Sequence, residues 1–158
     1  MTVGKNNLAL DNLRNVTIQL GKSKDWLNRS LVKCQNINVS LDHDLQDSQY
    51  DDLEALMSRY SRLTDILVNK MFRAIDRMEL ENPGGSLIDV ANRMLKRDLI
   101  DSIEELQILK DLRNSIAHDY SEEDLLSLFK AILELCPTLI ELTNRSIAYV
   151  DKKYLLNK

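Results

Sequence analysis

Between positions 53 and 78 the side chains Leu53, Met57, Tyr60, Thr64, Leu67, Met71, Ala74 and Met78 recur at alternating steps of four and three. That spacing gathers them on one side of an α-helix. A second stripe, Leu56, Leu63 and Ile66, widens the face beyond a two-stranded coiled-coil seam and predicts burial inside a bundle. The methionines of the seam read as core, not as a cofactor box.

The remaining segments fit helices around this one. Only four glycines and two prolines occur among 158 residues, and no strand pattern competes. A first helix is predicted from about Leu8 to Ile37, with Leu13, Val16, Leu20, Leu27, Leu31 and Cys34 inward and Gly21 weakening its middle. A polar, acidic connector from Asn38 to Gln49 follows, with His43 as a solvated loop residue. Asn82-Pro83-Gly84-Gly85 stops the second helix. Ser86 with Asp89 caps a third, whose inner face is Leu87, Val90, Ala91, Met94 and Leu95. Ser102 with Glu105 has capping-box spacing and opens a fourth through Ile103, Leu106, Leu109, Leu112 and Ile116, ending near His118. Ser121, followed by three acids, caps the next helix, and the tail stays helical to about Val150. Pro137 either starts a final helical segment or kinks a longer helix. The expected fold is an all-α bundle over residues 1–158 as one domain, with two long N-terminal helices and three or four shorter ones.

Composition narrows the chemistry. The formal charge is -4, which disfavours broad electrostatic coating of nucleic acid and confines any RNA chemistry to a local basic pocket. Cys34 and Cys136 are far apart in sequence and outside any CxxC or Cys/His cluster, so no zinc site or disulfide framework is expected. With no apolar signal core at the start and no run long enough to span a bilayer, the expectation is a cytoplasmic protein.

Leu112-Arg113-Asn114-Ser115-Ile116-Ala117-His118-Asp119-Tyr120 concentrates four functional side chains at the end of a helix. Asn114 and His118 share a face, whereas Arg113 and His118, five apart, diverge on an ideal helix. A two-fold dimer placing two such helix ends side by side would bring both pairs into one groove. The residue types suit metal-free RNA cleavage. Histidine moves a proton at the ribose 2′-hydroxyl or the leaving oxygen, arginine holds the phosphate, Asn114 orients either, and Tyr120 offers a hydroxyl.

This R-N-x3-H-x-Y segment resembles the R-x4-6-H signature of HEPN ribonucleases, particularly the HepT toxins. Arg59-Tyr60-Ser61-Arg62-Leu63-Thr64-Asp65 and Leu87-Ile88-Asp89 through Leu99-Ile100 extend the likeness over roughly residues 50 to 145. The resemblance implies a homodimeric toxin that cuts RNA without metal or other cofactor, with Arg113 and His118 catalytic, Asn114 assisting, and Arg59, Arg62 and Asp65 near the groove. It also implies a minimal nucleotidyltransferase as antitoxin, which can attach AMP to the motif tyrosine, here Tyr120. Some related helical proteins accompany a nucleotidyltransferase as catalytically silent substrate-binding or regulatory subunits.

Plainer roles stand beside each of these. His118 can serve the helix dipole, and Arg113 can pair with Asp111 or Glu105 on the surface. Arg62 can pair with Asp65 three residues away, and Tyr120 can pack over the helix end. Lys70, Arg73, Arg77, Arg93, Lys96 and Arg97 form either a basic lip for RNA or a solvated face interleaved with Asp76, Glu79, Asp89 and Asp98.

Overall fold

The computed structural model describes residues 2–40, 44–80, 82–118 and 121–156, and His43 and Tyr120 lie outside them. Among the described residues there is no strand. The helices are α1 (Thr2–Cys34), α2 (Asp47–Asp65), α3 (Phe72–Glu79), α4 (Leu87–Lys96), α5 (Ile103–Ile116) and α6 (Glu122–Val150). A π-helical segment, Ile66–Met71, joins α2 to α3 without a break, so the two make one rod, and a π-helical turn, Asp151–Leu155, closes α6.

The seam read from the sequence is the inner face of that rod. Every member from Leu53 to Ala74 is buried, as are Leu56, Leu63 and Ile66, while Met78 at the end is half-buried. Burial of each such leucine contributes roughly 1.5–3 kcal/mol. Polar members of the seam find partners: Tyr60 donates to the Leu109 carbonyl on α5 at 2.8 Å, and Thr64 donates to the Tyr60 carbonyl at 2.9 Å. Leu13, Val16, Leu20, Leu27 and Cys34 bring α1 onto the same core.

Long-range contacts set the directions. Thr17 meets the Met71 sulfur, Ser30 accepts from Arg59, and Lys33 pairs with Asp52, so α1 runs antiparallel to the rod. Tyr50 meets Glu122 and Phe129 at one end, and Glu79 meets Tyr149 and Tyr154 at the other, so α6 runs parallel to it. The shorter α4 and α5 flank these three: α4 packs on α3 and α5, and α5 packs on α2 and α6.

Helix ends follow local chemistry. Ser86 and Asp89 form the reciprocal box, as do Ser121 and Asp124. At α5 only half of the expected box forms: the Ser102 hydroxyl accepts from the Glu105 N–H, while Glu105 Oε1 is buried without a partner among the described residues. Gly85 has φ 101°, and a Cβ there would meet the Asp89 carboxylate at 2.5 Å, so the box and the glycine depend on each other.

One boundary and one side-chain placement differ from the sequence reading, and one open choice is decided. The first helix begins at Thr2 and ends at Cys34, carrying Gly21 within it. Leu95, expected inward, is exposed at the last turn of α4. Pro137 lies inside α6, which at 29 residues is close in length to α1, so the last helix is long rather than short. Both cysteines are free and buried. Burial pushes the Cys136 thiol up to about 12, with Cys34 adding to the effect, and burial with Asp52 nearby pushes Cys34 up to about 11. Neither thiol is a ready nucleophile.

Candidate functional site

The end of α5 is fixed from two sides. Tyr60 holds the Leu109 carbonyl from beneath, and one turn later Arg113 reaches the rod. Its Nε donates to Asp65 Oδ1 at 2.8 Å and its Nη2 to Asp65 Oδ2 at 2.9 Å, a two-bond grip across 48 residues of sequence. This hydrogen bonding raises the Arg113 pKa further above its ordinary value, so the guanidinium stays charged. The grip occupies one edge of the guanidinium. Among the described residues, Nη1 has no partner.

Past Ile116 the helix tightens: the Ala117 N–H bonds the Asn114 carbonyl and the His118 N–H bonds the Ser115 carbonyl. The helix therefore ends two residues before His118, which sits in a bend with an exposed side chain. Asn114 is exposed as well, and Ser115 turns its hydroxyl back to the Asp111 carbonyl at 3.0 Å. No side-chain hydrogen bond joins Arg113, Asn114 and His118 to one another. One chain presents these groups at the same helix end without assembling them.

The other expected site residues lie elsewhere on the rod. Arg59 donates to the Trp26 carbonyl at 3.1 Å and to Ser30 Oγ at 2.7 Å, tying α2 to α1. Arg62 lies 5.8 Å from the centre of the Trp26 ring and is exposed. Asp65, three residues on, pairs with Arg113 and not with Arg62. Tyr120 falls outside the described residues. No group of His, Cys, Asp and Glu suited to a metal ion occurs among the described residues.

The cations around α3 and α4 divide into two sets. Asp76, fully buried, takes Arg93 and Arg97, and Glu79 takes Arg97, Lys153 and the hydroxyls of Tyr149 and Tyr154. Arg93 and Arg73 also donate to the carbonyls of Gly84 and Gly85, so these arginines stitch the loop to the rod. Lys70 and Arg77 are exposed and make no such bonds. The resemblance puts Asp65 near the groove, but its pairing with Arg113 is not legible in the sequence, since nothing in linear spacing links two positions so far apart.

No family model matches the chain, and neither the curated proteins nor the solved structures contain a match to it. No helix among the described residues is long and apolar enough to cross a membrane.

Proposed function

We propose that this chain is a metal-independent endoribonuclease toxin of the HEPN kind, cutting RNA in a groove between two copies and neutralised by a minimal nucleotidyltransferase. The observation that carries the reading is the end of α5, where exposed His118 and Asn114 accompany a guanidinium clamped along one edge by Asp65. A clamped arginine meets a phosphate with little further loss of side-chain freedom.

In this reading the ribose 2′-oxygen attacks the adjacent phosphorus as its proton passes to imidazole. The P–O5′ bond breaks, and the 5′-oxygen takes up a proton, leaving a 2′,3′-cyclic phosphate and a 5′-hydroxyl end. His118 carries the proton, and Arg113 Nη1 stabilises charge on the phosphorane oxygens. The two-fold groove supplies the convergence that one chain lacks. Exposed Ile88 and Leu95 on α4 and Ile108 on α5 offer apolar surface on the same layer for such a dimer.

A second reading, a catalytically silent subunit that presents substrate to a nucleotidyltransferase or regulates it, draws on the same Asp65. Its carboxylate already balances the Arg113 charge, and no described residue orients His118. The experiment that separates the two is cleavage of an RNA and of its counterpart lacking the scissile 2′-hydroxyl, both in EDTA. The ribonuclease cuts only the first, and His118→Ala and Arg113→Ala each lose roughly 10²- to 10⁴-fold while staying folded. Cutting of the deoxy substrate, or a wild-type rate in His118→Ala, overturns this mechanism; no cutting by wild type gives the silent subunit. Co-expression with the nucleotidyltransferase should add an AMP-sized mass that Tyr120→Phe abolishes.

A further inference from the structure

We infer that the seam between the N-terminal half of α1 and the π segment with α3 is a binding track for single-stranded RNA, distinct from the end of α5. Two adjoining cavities share Asn12 and Arg77 and open along this seam, with volumes of about 820 and 370 Å³. Their cations are Lys5, Lys70 and Arg77, all exposed and all without a carboxylate partner among the described residues. Between them stand the amides of Asn12, Asn15, Gln19 and Asn69, which donate to phosphate oxygens and offer both donor and acceptor to base edges.

The one acid on the lining, Glu79, does not cancel this charge. Asp76 and Glu79 together face Arg93, Arg97 and Lys153, three cations against two carboxylates. Glu79 is also filled by two tyrosine hydroxyls, which leaves it little capacity to hold Arg77. On a chain of net charge -4, a seam that among the described residues has three unmatched cations and no free acid is a local exception, and its complement is a flexible polyanion.

Two independent features support the track, and the second favours a single strand. Asn69 and Lys70 belong to the π-helical segment, an uncommon backbone form that concentrates at functional sites. Seven residues beyond Gln19, two turns on and on the same face of α1, Trp26 is 41% exposed with the Arg62 guanidinium 5.8 Å from its ring centre. An aromatic ring and an arginine plane at the end of a basic track form a platform on which unpaired bases stack, a contact that duplex bases cannot make. The track is thus read from residues outside the helix-end motif, and it deepens the ribonuclease reading by naming how the substrate is held.

Binding is measured apart from cleavage with a fluorescein-labelled 2′-O-methyl oligouridine, which cannot be cut through its 2′-position. Fluorescence anisotropy of the intact wild-type protein should show binding at 50 mM NaCl that weakens roughly 20-fold by 200 mM, as about three contacted phosphates on a single strand require. Trp26, the only tryptophan, should be quenched on titration. Lys5→Gln/Lys70→Gln/Arg77→Gln should weaken binding at least about 10-fold and flatten the salt dependence, while Lys130→Gln on α6 binds as wild type. Circular dichroism checks that the triple variant is folded, and Lys70→Gln and Arg77→Gln alone repeat the test if it is not. No binding by wild type, undiminished binding by the variants, an equal loss in Lys130→Gln, or equal binding of a duplex of the same length each overturns the track. Because no bond is broken, a track that holds and a chain that fails to cleave are distinguishable, as is the reverse.

Discussion

Glu79 gathers donors from three elements, and its ionisation follows from them. Burial opposes its charge, but hydrogen bonds from Tyr149 and Tyr154, the Arg97 charge and Lys153 outweigh it and hold the carboxyl below its ordinary 4.5. A carboxyl with a lower pKa in the fold than in the unfolded chain contributes stability that is fully present above the unfolded value. That stability is lost as pH falls through the folded value. Urea unfolding should therefore show a stability drop below about pH 4.5 that is smaller in Glu79→Gln, with the variant about 1–3 kcal/mol weaker at pH 7. An equal acid drop in both proteins would assign the effect to other carboxylates. Asp76 is the harsher case: it is fully buried between Arg93 and Arg97, and Asp76→Ala removes the carboxylate they share, leaving Arg97 only Glu79 and Arg93 only the Gly84 carbonyl beside a void. Its cost should be about 3–5 kcal/mol, read as a shift in the urea midpoint at unchanged slope. The sequence showed these arginines interleaved with acids but not which were pinned, because pinning depends on burial of Asp76 and not on its spacing.

At the level of elements, periodicity was the legible part. The seam from Leu53 to Ala74 repeats often enough that one helix face is fixed whatever packs on it, and the serine caps at Ser86 and Ser121 act within four residues. Pro137 was ambiguous for a physical reason: at a first turn no N–H is missed, inside a helix one is, and the local sequence is the same. The structure puts it inside α6, exposed, where it cannot donate to the carbonyl one turn back. Pro137→Ala restores that donor while giving up little buried surface. It should stabilise the protein by about 1 kcal/mol or more, seen as a rise of a few degrees in Tm. A lower Tm would mean that the ring fills the α1–α6 cavity, about 550 Å³ and lined by Leu31 and Ile140, better than its exposure suggests.

For the whole molecule the question is what one chain lacks. Arg113 and His118 were legible as candidates from residue type and order, but the Asp65 grip and the separation of Arg59 from the end of α5 came from packing between distant segments. The same packing leaves His118 exposed with no described partner, so a site built from these groups needs a second surface. If two copies supply it, Arg113 of one protomer acts with His118 of its partner, and each single variant is deficient at both composite sites. Mixing Arg113→Ala with His118→Ala under conditions that allow subunit exchange then restores one intact site in each mixed dimer. With half of the dimers mixed and half of their sites intact, activity should recover to about a quarter of the wild-type rate. Light scattering should report twice the chain mass throughout. If the groups instead act within one chain, mixing restores nothing, because no protomer carries both; a monomeric mass with full wild-type activity would likewise remove the two-fold groove from the mechanism.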